Sequence, residues 1–189
     1  MELNQKRQFI VFATLFYLLF FAAGSIWYYL AGNGWVFGFN PNKHNWVLEI
    51  AIAAACLGFY ALFAFGGVKY VREIRNFLQE LKRFIGTFTV KESFLLALVS
   101  AIGEEALFRG AMQSSFGFWI TAVIFGITHF PPTKKLRIWP VYAFAIGLFF
   151  GALTEISGDI LLPVILHFFI NFFSFLYLHY RSETFIEHR

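Results

Sequence analysis

Two adjacent carboxylates and an arginine lie inside an otherwise apolar run of the chain, at Glu104, Glu105 and Arg109. Glu104 lies roughly 15–18 Å along a helix that begins near Lys91. An ionised group at that depth in a membrane costs about 2.5–3.5 kcal/mol on insertion scales. Glu105 and Arg109 are four residues apart and can neutralise each other on one helix face. Glu104 points about 100° away from Glu105, so it needs a partner on another helix or a water-filled cavity.

Three further polar side chains stand among apolar neighbours, at His129, His167 and Asn171. His167 and Asn171 share one helix face, and Phe125 shares a face with His129. Each of these residues, taken alone, could simply form a hydrogen bond between membrane helices. Together with Glu104 they are nearly all the polar groups of this apolar sequence, which predicts that they converge.

At this point the chain resembles a known family. Three motifs occur in order: Glu104-Glu105-x-x-x-Arg109, Phe125-x-x-x-His129 and His167-x-x-x-Asn171. They resemble the motifs of the CPBP (CAAX protease and bacteriocin-processing, or Abi) intramembrane proteases, which are related to the Ras-converting CAAX endoprotease. Residues 157–167, a glycine turn and an apolar stretch with a proline, are similar to the approach to that family's last motif. The resemblance covers about residues 92–178 and implies an intramembrane endopeptidase.

Hydrolysis needs a base that activates water and donors aimed at the developing oxyanion. Glu104 is the candidate base, as in a glutamic protease, because burial disfavours its charged form. His129 would hold the same water or carry the proton, and His167 and Asn171 would be the oxyanion donors. Glu105 and Arg109 would form an ion pair that locks the helix, with Phe125 in a supporting position.

A zinc-dependent mechanism is the alternative. Glu104, His129 and His167 would form a His₂Glu set with water at the open position. There is no His-Glu-x-x-His helix in the sequence, and Asn171 is better suited to donating a hydrogen bond than to binding zinc. The sequence therefore favours a mechanism with no cofactor.

Two other classes of function fit an intramembrane polar cluster. One is a non-enzymatic bacteriocin-immunity or scaffold protein of the same family, although a scaffold has no need for all four candidate catalytic residues. The other is a proton or ion pathway, which predicts polar residues strung along the membrane normal.

Composition sets the fold class. The 189 residues are 59% hydrophobic and 14% charged, whereas a soluble domain has about 25% charged residues. The continuous apolar runs predict an all-α, polytopic membrane helix bundle rather than a β-barrel. The net charge of +4 comes from segments between the apolar runs, which indicates no nucleic-acid partner. The expected partners are membrane lipid and a peptide or membrane-anchored protein substrate.

About six transmembrane helices are predicted in a single membrane domain, 1–189. The spans are 9–31, 46–67, 92–112, 118–130, 138–153 and 160–180, with a tight connection at 113–117. Residues 1–67 form two N-terminal spans, 68–91 a basic, amphipathic interfacial helix, and 92–178 the protease-like core. The first apolar stretch exceeds a signal-peptide core of about 7–15 residues, so an uncleaved span is expected.

The positions of the basic residues predict the orientation. If both termini are cytoplasmic, the cytoplasmic segments hold 13 of the 15 Lys and Arg residues. Lys43 would face outward and Arg109 would lie within the membrane. This asymmetry follows the positive-inside rule for a multi-pass protein of the cell membrane.

Overall fold

The computed structural model describes residues 3–38, 44–131 and 133–180, and every element in these ranges is helical. The α-helices are α1 Leu3–Tyr28, α2 Trp46–Tyr70, α3 Arg72–Ile85, α4 Val90–Glu104, α5 Gln113–Phe116, α6 Phe118–Thr128, α7 Trp139–Ser157 and α8 Leu161–Tyr180. Two π-helical segments, Tyr29–Asn33 and Glu105–Met112, extend α1 and join α4 to α5, and Lys134–Leu136 forms a 3₁₀ turn. The all-α prediction is confirmed.

The predicted connection at 113–117 is wrong. Gln113–Phe116 continues the helix, and the chain reverses at Gly117, which has φ of 80°. Glycine adopts this conformation without the steric cost that a Cβ would bring. The fourth predicted span is also shorter than expected, because α6 ends at Thr128 and Pro131 follows soon after.

The interfacial helix is likewise shorter than 68–91. It covers Arg72–Ile85 and ends at Gly86, again with positive φ. A helix pair made of Arg72–Ile85 and Val90–Phe116 is bent by 95° at this break. The amphipathic segment therefore turns sharply away from the helix that carries the two glutamates.

In the described ranges, four helical segments are long and apolar enough to cross a membrane: Leu3–Asn33, Trp46–Tyr70, Lys134–Ser157 and Leu161–Tyr180. The bent pair brings the number to five. The predicted count of six is not confirmed, because α6 has only 11 residues. Such a helix is about 16 Å long, whereas the hydrocarbon core is about 30 Å thick. The chain is a multi-pass membrane protein.

Polarity in the bundle is reversed relative to a soluble protein. Large apolar side chains on α1 and α2 are exposed, among them Phe12, Leu19, Phe59 and Leu62. The buried groups include polar and charged side chains: Ser100, Glu104, Glu105, Arg109, Gln113 and His167. An apolar exterior around a polar interior matches lipid as the surrounding solvent.

Two ion pairs bring distant parts of the chain to one end of the bundle. Lys6 at the start of α1 pairs with Glu92 at the start of α4. Lys135 Nζ lies 3.4 Å from Glu80 Oε2 of α3. The beginnings of α1 and α4, helix α3 and the turn before α7 therefore share this end.

The opposite end is joined through His44. Its Nε2 lies 2.9 Å from Asp159 Oδ2, and its Nδ1 lies 3.0 Å from Glu49 Oε1. Asp159 also accepts a hydrogen bond from the Leu161 N–H and so caps α8. These contacts tie the beginning of α2 to the link between α7 and α8.

Small residues allow α1 to pack closely on the helix that carries the glutamates. A Cβ at Gly24 would lie 2.6 Å from the backbone carbonyl of Ala106, and a Cβ at Gly103 would overlap the backbone of Tyr17. Small residues at such contacts are the usual basis of membrane helix packing. Helix α1 is therefore held against the central helix at two levels.

The Gly24 contact generates a test. We expect Gly24→Ala to destabilise the protein by about 1–3 kcal/mol, as overpacking does, because the new methyl group meets backbone rather than a movable side chain. Gly58→Ala in α2 is the matched control, since a Cβ there has no neighbour within 4 Å. Thermal unfolding in detergent measures both variants, and equal midpoints would contradict the close packing.

Candidate active site

Helix α4 begins at a capping box, which sets how far along the helix Glu104 lies. The Thr89 hydroxyl accepts a hydrogen bond from the Glu92 N–H at 3.3 Å, and the Glu92 carboxylate accepts one from the Thr89 N–H at 2.7 Å. This Thr-x-x-Glu pattern is a sequence signal for a helix start that the sequence reasoning missed. Lys6 pairs with the same carboxylate. Glu104 follows as the last residue of α4.

The helix changes form at the candidate residues. Glu105–Met112 is π-helical, a conformation that is rare and frequently found at functional sites. The change from α-helix to π-helix begins between the two glutamates.

The carboxylates of the two glutamates approach the same imidazole: Glu105 Oε1 lies 2.6 Å from His167 Nδ1, and Glu104 Oε2 lies 3.9 Å from His167 Nε2.

Glu105 is completely buried and has two basic partners. Its Oε2 lies 3.2 Å from Arg109 Nε in an ion pair, and its Oε1 accepts a 3.3 Å hydrogen bond from Arg109 Nη1. The His167 Nδ1–H donates to the same carboxylate. The ion pair between Glu105 and Arg109 forms as the sequence predicted, but the contact of Glu105 with His167 was not foreseen. No sequence signal links residues 62 positions apart.

Aromatic rings surround the Arg109 guanidinium. It lies 4.3 Å from the centroid of the Phe125 ring and 5.5 Å from that of Phe150. It also donates to the Gly147 carbonyl of α7 at 3.4 Å. Cation–π contacts gain strength when the cation is desolvated, and Arg109 is only 2% exposed. Phe125 therefore contacts the charged cluster through Arg109.

The charges of this cluster can balance. Glu104 and Glu105 together carry two negative charges when ionised, and Arg109 supplies one positive charge. A protonated His167 supplies the second. An unpaired charge in a membrane interior is costly, and Arg109 offsets the charge of the Glu105 carboxylate that it contacts.

Asn171 of α8 bonds a serine of α4. Its Nδ2 donates to Ser100 Oγ at 3.0 Å, and the Ser100 hydroxyl donates to the Ala97 carbonyl at 3.2 Å. Ser100 was missed by the sequence reasoning. The signal was available, because Ser100 lies four residues before Glu104 on one helix face.

His129 occupies a separate position. It follows the last residue of α6, its Nδ1–H donates to the Phe125 carbonyl at 2.7 Å, and its ring packs on Phe125 and Trp139. The structure gives it no hydrogen bond or ion pair to Glu104, His167 or Asn171. Of the four candidate catalytic residues, Glu104 and His167 lie together, Asn171 bonds Ser100 of α4, and His129 makes no hydrogen bond or ion pair to the other three.

The alternative zinc site does not form as a group. Among the residues that the structure describes, no three His, Cys, Asp or Glu side chains are arranged to hold one metal ion. The proposed set of Glu104, His129 and His167 lacks the common centre that tetrahedral coordination requires.

The fold and site together define a helical, multi-pass membrane protein with a buried cluster of acid, imidazole and amide groups. Residues 86–173 match the family described as type II CAAX prenyl endopeptidase Rce1-like. This segment contains every candidate residue from Glu104 to Asn171, so the similarity to the Rce1-like family spans the whole candidate site. The resemblance inferred from the motifs is thereby confirmed.

The chain is also similar to a bacterial protein. Over 90 residues it is 30% identical to the uncharacterized protein YpbD of Bacillus subtilis (strain 168). The alignment covers 48% of this chain and 47% of YpbD, so the similar region is about half of each protein. No solved structure matches the chain significantly.

Removing the Glu105 charge tests the electrostatic balance. We expect Glu105→Gln to destabilise the protein by about 3–5 kcal/mol, because it leaves buried Arg109 without its carboxylate. The double variant Glu105→Gln/Arg109→Gln should lose less free energy of unfolding than Glu105→Gln and Arg109→Gln lose in total. The free energy of unfolding of all three variants is measured in mixed micelles.

Glu80→Gln is the control for this cycle, since the partners of Glu80 are exposed lysine and arginine side chains. Exposed pairs contribute about 0–1 kcal/mol. Strict additivity of the two buried substitutions would contradict a coupled ion pair.

Proposed function

We propose that this protein is an intramembrane endopeptidase in which Glu104 activates the water that attacks a peptide bond. The observation that carries the proposal is the arrangement around His167, whose two ring nitrogens face the two adjacent glutamates. One glutamate fixes the imidazole, and the other remains available as a base. The family match over residues 86–173 supports the same class of reaction.

Glu104 is the base in this proposal. Its side chain is slightly accessible, at 9%, whereas that of Glu105 is fully buried. Glu105 is already engaged by Arg109 and His167. A carboxylate that is near an imidazole but not consumed by an ion pair can accept a proton from water. In this proposal the two adjacent acids therefore have different roles, because Glu105 is held by its partners and Glu104 is not.

His167 and Asn171 are the oxyanion donors. Since the His167 Nδ1–H is bonded to Glu105, its Nε2–H is the remaining donor of the imidazolium. A buried carboxylate that orients and stabilises an imidazolium is familiar from serine hydrolase triads. The Asn171 amide has two N–H donors, of which one reaches Ser100. The other is available for the developing negative charge.

His129 is the candidate for proton transfer. Because its Nδ1–H is fixed on a backbone carbonyl, the neutral ring presents Nε2 as an acceptor. Its part in the reaction requires that water or substrate bridge it to Glu104. We propose that it holds this water or passes a proton to the leaving amine.

The substrate we propose is a peptide or a membrane-anchored protein whose scissile bond enters from the lipid side. The polar cluster is enclosed by helices whose outer faces are apolar. A segment anchored in the bilayer can approach such a site by lateral diffusion. Prenylated proteins are the first group to test, because the matched family is described as prenyl endopeptidases.

Cleavage by purified protein in liposomes tests the function. The probes are a fluorogenic peptide that ends in a prenylated CAAX sequence and the same peptide without the prenyl group. We expect Glu104→Gln to lower kcat by about 10²–10⁴-fold, the range for general acid–base catalysis. Glu155→Gln in α7 is the carboxylate control and should retain activity.

Two outcomes of this experiment would contradict the proposal. Equal cleavage by wild type and Glu104→Gln would favour a non-enzymatic scaffold. Loss of cleavage with a membrane-permeant chelator, followed by recovery with Zn²⁺, would favour the zinc mechanism over the metal-free one.

We also propose that both termini face the cytoplasm. The end of the bundle marked by the Lys6–Glu92 and Lys135–Glu80 pairs carries the basic residues of α1, α3 and the turn before α7. Clustered lysine and arginine residues favour the cytoplasmic side. Lys43 and the basic residues of the C-terminal tail lie outside the described residues.

Cysteine labelling checks this orientation. In a Cys56→Ala background, Asn33→Cys at the opposite end should react with an impermeant maleimide in intact cells. Lys135→Cys should react only after the membrane is permeabilised. The reverse pattern would contradict the proposed orientation.

A further inference from the structure

The Ser100 hydroxyl lies between two partners, one on its own helix and one on α8. It donates its hydrogen to the Ala97 carbonyl at 3.2 Å, and its oxygen lies 3.0 Å from Asn171 Nδ2. A serine hydroxyl carries one hydrogen and two acceptor lone pairs. Because that hydrogen is on the Ala97 carbonyl, the Ser100 oxygen can only accept a hydrogen bond from Asn171.

This count of hydrogens fixes which end of the Asn171 side chain faces α4. An asparagine amide has a donating nitrogen and an accepting oxygen of similar size, so a rotation of 180° exchanges them at little steric cost. In the rotated state the Asn171 carbonyl oxygen would face the Ser100 oxygen, with no hydrogen between the two acceptors. Ser100 therefore holds the amide nitrogen toward the helix that carries Glu104.

Burial and packing keep this contact in place. Ser100 is only 3% exposed, so water has little access to replace the serine as the partner of the amide. The Phe94 ring of α4 packs edge-to-face on two rings of α8, at 5.2 Å from Phe168 and 6.0 Å from Phe172. These rings flank Asn171 in the sequence and hold α8 against α4 at its level.

We propose that Ser100 is a positioning residue that makes the Asn171 amide present an N–H, and not its carbonyl oxygen, to the developing oxyanion. This inference rests on the proposed function, in which Asn171 is an oxyanion donor. If the amide turned over, a lone pair of its oxygen would take the place of the second N–H. A group that stabilises the negative charge would then repel it. Ser100 precedes the first family motif, which begins at Glu104.

The test is Ser100→Ala, which removes the hydroxyl and lets the amide rotate. Cleavage of the fluorogenic peptide in liposomes is the first readout. We expect kcat to fall by about 3–10-fold, the size of the net contribution of one hydrogen bond. KM should be unchanged, because the Asn171 donor acts on charge that appears only in the transition state.

A transition-state analogue gives a second readout that needs no turnover. The probe is the same peptide with a phosphinate in place of the scissile bond, which is tetrahedral and negatively charged and cannot be cleaved. We expect Ser100→Ala to weaken its binding by the same factor as kcat. In an Asn171→Ala background, Ser100→Ala should change neither kcat nor the affinity for the analogue any further.

Ser93→Ala is the matched control. Ser93 is the other serine of α4, is also buried, and lies seven residues earlier on the same helix face. Its hydroxyl donates to the Phe88 carbonyl at 3.5 Å. This variant removes a buried serine hydroxyl from the same helix without touching Asn171, so its kcat and its affinity for the analogue should equal those of wild type.

The contact itself is measured separately, by the free energy of unfolding in detergent. The double variant Ser100→Ala/Asn171→Ala should lose less than the two single variants lose in total, since both remove the same hydrogen bond. This cycle reports the contact in a protein of any activity.

The outcomes distinguish this inference from the proposed function. If Glu104→Gln abolishes cleavage but Ser100→Ala keeps the kcat and analogue affinity of wild type, the role of Ser100 is wrong and the endopeptidase stands. An equal loss of kcat in Ser93→Ala, or a further loss in the Asn171→Ala background, would overturn the inference in the same way. If the unfolding cycle shows coupling but Glu104→Gln cleaves like wild type, the contact is real and the proposed function fails, together with the role of Ser100 in it.

Discussion

The structure depends on the neutralisation of Arg109 by Glu105 inside a bundle that faces lipid. A guanidinium at this depth stays charged, so it needs a carboxylate within reach. The Glu105 carboxylate meets this need and also receives the His167 Nδ1–H. One buried acid therefore connects its own helix to α8. The position of the imidazole, and hence the distance from His167 to Glu104, follows from this pairing.

Packing at glycines makes this electrostatic arrangement possible. Gly24 and Gly103 let α1 approach the central helix, while Gly147 lies against Ala122 where α7 crosses α6. In lipid, helices gain little from burying apolar surface, so close van der Waals contact takes over as the source of stability. The same contacts exclude lipid from the polar groups and set which side chains can reach Glu104.

Much of this arrangement could be predicted, because membrane insertion restricts the sequence strongly. The all-helical class follows from apolar runs that can satisfy their backbone groups only within helices. The pairing of Glu105 with Arg109 follows from their spacing of four residues. The number of spans could not be predicted as reliably, because the 11-residue α6 is apolar enough to resemble a span but too short to cross alone. The connection at 113–117 was misjudged because Gln113, Ser114 and Ser115 read as turn residues, while Gln113 in fact bonds Gly151 and Glu155 of α7.

By itself the sequence determined which polar residues must be accommodated in the membrane and which pairs share a helix face, because both depend on local spacing and the cost of burying charge. Only the tertiary structure decided their partners between helices. It joined Glu105 to His167 and Asn171 to Ser100, and it left His129 on the Phe125 carbonyl. These choices depend on how the helices approach and rotate around one another. Close packing at a few glycines sets that geometry, and the helical period of a single segment carries no information about it.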